Sequence, residues 1–448
     1  MPQTTVVQHT EGEFLVAYFC WFRALRSSPF ALFLRLIFSL FLPLTGPPFL
    51  VLAGFTILDN IYAHNGTLYI ISESPKSFPQ IRAMISSGYP VFNGEAEVKK
   101  REPTEKDMQI ITLKQAEKMF GKLAHRLEGV TFMSNDPPQF INHYYHFAAE
   151  LFFGIWRAYS SLDPSIKSTG QTMLPPPRRF VFTHTTEDKW RDYAKMNQWI
   201  MHASFPSASL EFSTDWKDRA ETQRLWFFDR LVLGDRAAAM RGKPFVATER
   251  YASAAFELPG SAMWFEPVRT NVVEFAGLHR SEGGGTMNKP VITYVNRQDW
   301  GRRMLKPEDH EGLVRALRRL EKERGWEVNI VAMDKLTREE QFQLAGRTTI
   351  MMGVHGNGLT SLLWMHPTPR AAVMEFFYPG GFAEDYEWTA RALGITHYGF
   401  WGGQYFSSPD LPPRAYPEGF QGNEIPLDGE AVANLVVHQL SLNDEADD

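Results

Sequence analysis

The chain has 448 residues, of which 44% are hydrophobic, and this is enough for two domains with cores of their own. A formal net charge of -5 excludes the broad basic surface that nucleic-acid binding needs, so any site for a polyanion must be local. The single cysteine, Cys20, excludes intramolecular disulfides and cysteine-based zinc sites.

The N-terminal region contains an apolar segment, residues 36–58, that carries no charge and follows Arg23, Arg26 and Arg35. A segment of this length behind arginines predicts a signal anchor, so we expect residues 1–58 to form a cytosolic tail and a membrane anchor. Three prolines and a glycine near its middle disfavour a continuous helix. Two alternatives therefore stay open: an anchor over residues 30–49, or burial of residues 49–58 as the first strands of a domain.

Residues 59–285 carry a less regular pattern that predicts an α/β domain on the acceptor side. Its expected strands are GTLYII, MQIITL, GVTFMS, RRFVFTH and RLWFFDRLVLG, and its strongest helical segment is residues 142–162. Asn65-Gly66-Thr67 is the only N-glycosylation sequon, which makes Asn65 the candidate glycan site. The glycine-rich segment LHRSEGGGTMNKP predicts an interdomain linker before the next strand.

Strand and helix patterns alternate from Pro290 onward. The predicted strands are PVITYVN, WEVNIVAM, TTIMMGV, RAAVMEFF and THYGF, and helices are expected over residues 307–324, from Thr337, after the third strand, and over residues 384–393. Thr337 begins the sequence TREE, which is typical of a capping box. Repeated βα units predict a parallel sheet over residues 286–448, with ligands at the carboxyl ends of its strands.

The sequence GVHGNGLTSLLWM, residues 353–365, places three glycines and a histidine between a predicted strand and a predicted helix. Amide groups at a helix N-terminus, with no side chain in the way, form a site for a phosphate or diphosphate. In the alternative interpretation the glycines only turn the chain, but a turn alone would not require the imidazole of His355 or the hydroxyl of Thr360. The predicted diphosphate ligands are His355, Gly356, Asn357, Gly358, Leu359 and Thr360.

A dinucleotide site is a second interpretation of this turn. Glu375 ends the next predicted strand at about the offset that a ribose-binding carboxylate takes in a dinucleotide fold. However, Ser361 stands where the motif has its third glycine, and no Walker loop is present. These departures weaken a plain NAD interpretation.

Three arginines follow the first strand of this region, in the segment YVNRQDWGRRML. Guanidinium groups bind diphosphate bidentately and can neutralise a leaving group without a metal. Arg297, Arg302 and Arg303 are therefore candidate diphosphate ligands, although a solvated basic loop would have the same sequence. No Asp-x-Asp triplet, the usual carboxylate pair for a metal–diphosphate, occurs in the chain.

The segment NHYYHFAAELFFGIWRAYSSL places His143, His146 and Glu150 on one face of a predicted helix. An imidazole or carboxylate aimed into a cleft can act as general base on an alcohol. A metal site and a structural histidine beside an aromatic core are the alternatives, and the metal site lacks visible partner ligands elsewhere. His146 and Glu150 are the candidate catalytic residues.

These three segments, in this order, resemble the family 61 glycosyltransferases, fungal members in particular. The matching features are NGTLYII, HYYHFAAELFFGIWRAYSSL, YVNRQDWGRRML and the long segment that begins GVHGNGLTSLLWMHPTPRAAVMEFF, so the resemblance covers nearly all of residues 59–401. Two positions depart from the pattern. The family often has alanine where Asn357 stands, and often an Asn-Glu pair where this chain has Lys306-Pro307-Glu308.

The resemblance implies an α/β fold of GT-B type, with two Rossmann-like domains facing a cleft behind an N-terminal membrane anchor. It implies an inverting transfer from a nucleotide sugar, UDP-linked, to a hydroxyl of a glycan, polysaccharide or glycoprotein, with no metal or other cofactor. Xylose and N-acetylglucosamine donors both occur in the family. The expected location is the Golgi or endoplasmic reticulum membrane, as a single-pass type II protein with a lumenal catalytic domain.

Within this interpretation, Glu375 and Tyr378 bind the ribose, and His146 or Glu150 reaches the acceptor from the domain opposite the diphosphate. Two other functions stay open. One is an NAD(P)-dependent oxidoreductase that uses the same glycine turn for a dinucleotide. The other is a catalytically inactive lumenal protein that binds a nucleotide sugar or a glycan. Nucleic acid is not an expected partner.

Overall fold

The computed structural model describes residues 49–278 and 289–442, which form two compact units. The first unit contains the described residues up to Pro137, together with Pro175–Thr186 and Ser209–Val246. The second contains Pro138–Leu174, Glu187–Ala208 and the described residues from Ala247 onward. The second unit thus includes three segments that precede residue 286. The predicted domain limits stay a prediction. Most of the predicted linker lies outside the described residues.

The first unit is built on an eight-stranded mixed sheet with the order β4-β3-β2-β8-β5-β6-β7, and β1 pairs with β2. Strands β8, β5, β6 and β7 run parallel to one another, whereas β2 is antiparallel to β1, β3 and β8. Strand β4 is parallel to β3. The strands are β1 Phe49–Leu52, β2 Phe55–His64, β3 Thr67–Ile71, β4 Met108–Ile111, β5 His125–Ser134, β6 Pro177–Phe182, β7 Ser209–Glu211 and β8 Trp226–Gly234.

Short helices connect these strands, and their sequences explain several of the limits. In the helix Leu113–Phe120, Thr112 and Gln115 form a capping box, and the chain leaves at Gly121 with φ of 73°. The helices of this unit are Pro75–Ser77, Ile81–Met84, Glu95–Lys100, Leu113–Phe120, Ser213–Glu221 and Arg236–Ala239, with Lys243–Thr248 at its limit.

Asn65 and Gly66 form the two-residue turn between β2 and β3, with φ of 49° and 80°. Positive φ at both positions is the geometry of a type I′ hairpin turn, which favours Asn-Gly. Asn65 is exposed at this turn. The hairpin therefore explains why Asn and Gly stand here, and glycosylation of Asn65 stays a prediction.

The predicted anchor conflicts with the structure over its last ten residues. Phe49–Leu52 and Phe55–His64 are adjacent antiparallel strands, and the side chains of Phe55 and Leu58 are fully buried. Residues 49–52 and 55–58 are therefore paired strands of a domain, as the alternative interpretation expected, and Phe55–Leu58 are buried in succession. The rest of the predicted anchor, residues 1–48, lies outside the described residues. Among the helices of the described ranges, none combines the length and the apolarity needed to cross a bilayer.

The second unit is built on a six-stranded sheet with the order β10-β9-β11-β12-β13-β14. Its first five strands are parallel and the short edge strand β14 is antiparallel to β13. The strands are β9 Val291–Val295, β10 Glu327–Val331, β11 Ile350–Val354, β12 Ala372–Phe376, β13 Thr396–Trp401 and β14 Gln404–Phe406. Strands β9, β11 and β12 are buried throughout, as parallel strands covered on both faces should be. All five predicted strands of this region are confirmed.

The helix Pro307–Arg324 shows why the sequence prediction worked here. Proline occupies the first turn, Leu313, Leu317 and Leu320 are buried along one face, and Gly325 ends the helix in the left-handed region. Thr337 and Glu340 form the predicted capping box of Arg338–Arg347. The later helices are Met333–Lys335, Asn357–Trp364, Asp385–Ala392 and Gly429–Leu440, of which the first two are 3₁₀ helices.

Three segments from earlier in the chain pack into this second unit. Asn197 lies on one of them with no exposed surface, and its amide donates to the carbonyls of Ile141 (2.8 Å) and Trp190 (2.9 Å). The Tyr144 hydroxyl accepts from Trp364 Nε1 at 2.8 Å, which joins these segments to the helix after β11. Their helices are Pro138–Ile141, His146–Phe152, Phe153–Ser160, Met196–Ser204, Tyr251–Glu257 and Glu266–Phe275.

The segment predicted as one regular helix over residues 142–162 is a π-helix, His146–Phe152, followed by an α-helix, Phe153–Ser160. A π-helical turn widens the backbone and is frequent at functional sites. His146 and Glu150, four residues apart on this helix, are in direct contact, with 2.6 Å between Nδ1 and Oε2. The helix lies in the same compact unit as the glycine turn, whereas the sequence interpretation expected it in the opposite domain.

Candidate active site

A cavity of about 1000 Å³ lies at the carboxyl ends of β9, β10 and β11. Strand β9 is flanked by β10 and β11, so the chain reverses its winding direction between β9 and β11. In open α/β sheets with this strand order, ligands bind in the crevice at such a switch point. All the lining residues belong to the second unit, so the cavity is complete within it.

The glycine turn forms one wall of the cavity. A Cβ added at any of its three glycines would lie too close to a neighbouring atom. A Cβ at Gly353 would lie 2.9 Å from the Val295 carbonyl oxygen, and one at Gly358 would lie 2.8 Å from Val295 Cγ1. A Cβ at Gly356 would lie 2.3 Å from Arg297 Nη1. The backbone of Gly356 is extended, so its conformation alone does not demand glycine. The glycines therefore let the turn approach the end of β9 and the guanidinium group beyond it.

The first helical hydrogen bond after the turn runs from Leu359 N to Gly356 O, at 2.9 Å. The amides of Gly356, Asn357 and Gly358 precede this bond, and amides in that position have no partner within the helix. These three residues line the cavity. Their amides, at the positive end of the helix Asn357–Trp364, suit an anion.

Two predicted diphosphate ligands are placed differently. The amide of Leu359 is committed to Gly356, and Leu359 has no exposed surface. Thr360 is 1% exposed, and its hydroxyl donates to Asn357 Oδ1 at 3.3 Å. Neither residue lines the cavity. The geometry therefore gives no support to a direct contact of Leu359 or Thr360 with a diphosphate, because the turn closes its hydrogen bonds one residue earlier than expected.

Arg297, Arg302 and Arg303 all line the cavity beside the glycine turn. Arg303 has φ of 54° and donates from Nη1 to the His355 carbonyl oxygen at 3.2 Å. The Nε atoms of Arg297 and Arg303 are buried without a hydrogen-bond acceptor. None of the three makes an ion pair with a carboxylate of the described residues. Three cations thus converge on one cavity, and among the described residues none of the three is paired with a carboxylate, although Asp299, Asp334 and Asp385 also line the cavity.

This arrangement is electrostatically unfavourable until an anion arrives. Burial, together with the charges of the neighbouring Arg303 and Arg302, lowers the pKa of Arg297 to about 10. Burial also lowers the pKa of Arg303, to which Arg302 again contributes. Both guanidinium groups remain charged at neutral pH. A bound diphosphate would supply the missing counter-charge, which is the relation expected of a binding site rather than of a solvated loop.

Asn357 connects the glycine turn to the two other walls. Its Oδ1 accepts from the Tyr145 amide at 3.3 Å, and its Nδ2 donates to the Tyr193 hydroxyl. Burial raises the pKa of Tyr193, so this hydroxyl is protonated. An alanine at position 357, the residue common in the resembling family, could make neither contact.

His355 and Glu375 form a buried pair behind the turn. His355 Nδ1 is 2.6 Å from Glu375 Oε1, and His397 Nε2 is 2.8 Å from Oε2 of the same carboxylate. An ionised carboxylate only accepts, so each imidazole donates to it from the facing nitrogen. His355 lines the cavity, and the nitrogen left for a ligand is Nε2. A contact of His355 with a phosphate oxygen would require a proton on Nε2 as well, and the predicted role of His355 stays a prediction.

The predicted ribose ligands do not reach the cavity. Glu375 has no exposed surface, and both its oxygens are bonded to imidazoles. Tyr378 packs against the sheet core and against Gly419, where a Cβ would lie 2.8 Å from the tyrosine ring. Neither side chain is part of the cavity wall. Glu375 instead holds His355, which follows β11, and His397 on β13, so the geometry gives no support to a ribose contact by Glu375 or Tyr378.

His146 and Glu150 lie at the other end of the cavity. The Glu150 side chain is 7% exposed and the His146 side chain is 34% exposed. Only His146 lines the cavity, and its Nδ1 is bonded to the buried carboxylate. This is the relation of a base to the carboxylate that orients it, so a proton can be accepted on Nε2.

His143 lies beside His146, with 4.8 Å between ring centroids. Burial, and secondarily the charge of His146, lowers the pKa of His143 to about 4. Its Nδ1 is buried without a hydrogen-bond partner. His143 is therefore a neutral wall of the cavity at physiological pH.

Several cavity residues were not singled out from the sequence. Asp385 accepts from Arg250 Nη1 at 2.5 Å through its side chain, and from the Tyr145 hydroxyl at 3.1 Å through its carbonyl. The segment after β10 also contributes a wall, and the rule that ligands bind at strand ends would have indicated it. Other wall residues that the sequence did not indicate as site residues include Tyr193, Ala194, Lys195, Asp299, Met333, Asp334, Lys335, Leu336, Thr337, Arg338, Gln341 and Tyr386.

Within residues 49–278 and 289–442, no group of three or more His, Cys, Asp or Glu side chains is placed to hold a metal ion.

Comparison with protein families matches residues 134–373 to the Glycosyltransferase 61 family. The match covers more than half of the chain and includes His146, Glu150, Arg297 and the glycine turn. The chain therefore belongs to glycosyltransferase family 61, and the protein is a glycosyltransferase. This result decides against the oxidoreductase alternative. No curated protein matches the chain significantly.

Proposed function

We propose that this glycosyltransferase moves a sugar with inversion from a nucleoside-diphosphate donor, UDP-linked, to an acceptor hydroxyl, and that it needs no metal ion. One observation supports the proposal above the others. Three guanidinium groups without carboxylate partners in the described residues share a single cavity with free helix amides and with a carboxylate-oriented imidazole.

In the proposed reaction, the amides of residues 356–358 and the guanidinium groups hold the diphosphate. His146 Nε2 removes the proton from the acceptor hydroxyl as its oxygen attacks the anomeric carbon from the face opposite the diphosphate. The carbon–oxygen bond to the phosphate breaks, and its electron pair leaves on the diphosphate. Arg297, Arg302 and Arg303 stabilise this developing charge, which is the task a divalent cation performs in other transferases.

The donor sugar and the acceptor are narrower proposals. Xylose and N-acetylglucosamine are the donor sugars to test first, and a glycan, polysaccharide or glycoprotein hydroxyl is the expected acceptor class. We also propose a lumenal location in the Golgi or endoplasmic reticulum, supported by the apolar N-terminal sequence. Because β1 begins at Phe49, the anchor span to test is residues 30–49 rather than residues 36–58.

The function is tested by a thermal-shift panel of nucleotide sugars on the purified protein. A ligand at a hundred times its dissociation constant stabilises the folded state by about 2.7 kcal/mol, so the donor should be the clear outlier. Transfer assays with that donor, read by the anomeric configuration of the product, then test inversion. If no nucleoside diphosphate or nucleotide sugar stabilises the protein, the proposed donor site is rejected.

The location is tested by expression of the full chain in a eukaryotic cell. The wild-type protein should fractionate with membranes. It should also migrate more slowly in gel electrophoresis because of an attached glycan, and a glycosidase should reverse this shift. Asn65→Gln is the matched control and should abolish the mobility change alone. A protein that is recovered outside membranes and carries no glycan would contradict the proposed location.

A further inference from the structure

The glycine turn stands between two different walls of the cavity. On one side, a Cβ at Gly358 would lie 3.4 Å from Met333 Cγ, so this end of the turn abuts the 3₁₀ helix Met333–Lys335. On the other side, Asn357 Oδ1 accepts from the Tyr145 amide, next to His146. A diphosphate on the turn therefore has the segment after β10 at one end and the π-helix at the other.

These two ends give the donor a direction. The sugar must lie where the acceptor hydroxyl meets its base, and in the proposed function that base is His146. The nucleoside is attached at the opposite end of the diphosphate. The nucleoside must therefore extend away from the π-helix. In that direction the cavity is lined by residues 332–338, the wall that follows β10.

The wall after β10 has the chemistry that a nucleoside requires. Asp334 lies in the 3₁₀ helix that follows β10, its side chain is 48% exposed, and its Oδ2 is 3.7 Å from Lys335 Nζ. Its oxygens are free to accept hydrogen bonds from a diol. Strand β10 is adjacent to β9, which is followed by Arg297 of the proposed diphosphate site, so Asp334 lies one strand away from those guanidinium groups.

Two further side chains of this wall have different roles: one holds the backbone of the wall, and the other is a hydrogen-bond donor for a ligand. Gln341 Nε2 is committed to the carbonyls of Met333 (2.9 Å) and Leu336 (3.2 Å), so it fixes the turn and is not available to a ligand. Arg338 has its Nε buried without a hydrogen-bond acceptor, and its guanidinium lies 5.9 Å from the Trp199 ring centroid. It is a donor that can reach the carbonyl oxygens of a base.

We propose that the donor nucleoside binds against the segment after β10, with Asp334 accepting from the ribose hydroxyls and Arg338 donating to the base. This assignment rests on the proposed function and replaces Glu375 and Tyr378 as the nucleoside ligands. It makes Asp334 a specificity-determining residue for ribose over 2′-deoxyribose.

The test is calorimetric binding of UDP, 2′-deoxy-UDP and inorganic pyrophosphate. The wild-type protein should prefer UDP to the deoxy analogue by about tenfold, the effect of one hydrogen bond to a charged group. Asp334→Asn should reduce this preference to about twofold or less, because a neutral amide oxygen accepts more weakly. Pyrophosphate should bind the variant at least as well as it binds wild type, since no ribose is involved. Asp299→Asn, which removes a carboxylate from the β9 side of the same cavity, should keep the preference.

The outcomes separate this inference from the proposed function. If neither UDP nor pyrophosphate binds the wild-type protein, the proposed function fails. If UDP binds and Arg297→Ala weakens it, but Asp334→Asn keeps the full preference for UDP, the nucleoside assignment alone is overturned. A loss of the preference in Asp299→Asn instead of Asp334→Asn would also overturn it, because the ribose would then lie on the β9 side.

Discussion

Gly356 and Arg297 are in such close contact that a single added carbon at position 356 would lie 2.3 Å from the guanidinium Nη1. The two residues are 59 positions apart and belong to the ends of neighbouring strands, β11 and β9. Their contact fixes the distance between the backbone amides and the principal cation of the proposed diphosphate site.

Gly356→Ala should therefore displace the guanidinium and lower turnover by about a hundredfold, the usual effect of losing one preorganised donor. The fold should survive, because the side chain of Arg297 can shift toward the cavity. Gly312→Ala is the matched control: position 312 is helical and its Cβ would meet only the end of Arg315 at 3.9 Å. That variant should keep full activity and gain up to about 1 kcal/mol of stability. Equal activity of both variants would contradict the role of the contact.

Arg297→Ala should also lower turnover on the order of a hundredfold, because it removes charge stabilisation of the leaving diphosphate. Arg297→Lys should recover only part of this loss, since an ammonium group lacks the planar pair of donors. The measurement is kcat with the donor found in the thermal-shift panel, and Arg315→Ala, an exposed arginine of the same unit, is the control. An unchanged rate in Arg297→Ala would remove this residue from the diphosphate site.

His146→Gln should abolish most transfer, by a factor of about a hundred or more, while donor binding changes little. Loss of the base affects the attack of the acceptor and leaves the diphosphate contacts in place. Calorimetric donor binding and initial transfer rates measure the two effects separately. His202→Gln is the control, because His202 is exposed on a helix of the same unit and does not line the cavity. Transfer at the wild-type rate in His146→Gln would assign the base to another group.

Chelators should leave the transfer rate within about twofold of its value in added magnesium or manganese. The three guanidinium groups supply positive charge at the diphosphate, so the proposed site needs no cation there. The measurement is transfer by protein treated with EDTA, with and without each metal added back. A rate that collapses on chelation and returns with one metal would contradict the metal-free proposal.

Acid should destabilise the protein in part through His143. Its pKa is about 4 in the folded state, against an ordinary value of 6.5. Between these pH values the imidazole is protonated in the unfolded chain and neutral in the folded chain. The associated stability is fully present above pH 6.5 and is lost as the pH falls toward 4. The loss should be on the order of 2 kcal/mol after allowance for partial exposure. Denaturant unfolding of wild type and His143→Gln at pH 7 and pH 4.5 measures it, and parallel pH dependences would contradict it.

The sequence predicted the second sheet well because its strands and helices repeat with clear periods. Thr337 with Glu340, and the leucines of Pro307–Arg324, each carry their own local signal. It placed His355 correctly at the cavity, but it did not predict the burial of Glu375. The sequence pattern places Glu375 near a strand end, whereas its burial depends on the register that aligns it with Gly353 and Gly399 on the neighbouring strands.

Long-range packing accounts for what the sequence did not indicate. The segment with His146 and Glu150 lies before most of the second unit in the chain, and long-range contacts such as those with Asn357 and Trp364 reveal where it folds. The π-helical turn was also missed, since its residues have the same apolar periodicity as an α-helix. Conversely, the Asn65-Gly66-Thr67 triplet predicts a glycan site, and the hairpin turn between β2 and β3 gives a structural reason for Asn65 and Gly66 as well.

The discontinuous make-up of the second unit affects how the protein can be divided for experiments. A fragment that starts at residue 286 looks like a natural nucleotide-binding module, but it would lack the helix that covers Trp364, whose side chain is fully buried in the intact protein. Such a fragment would expose a broad aromatic surface and tend to self-associate. Recombinant boundaries should therefore retain the chain from β1 to the helix Gly429–Leu440.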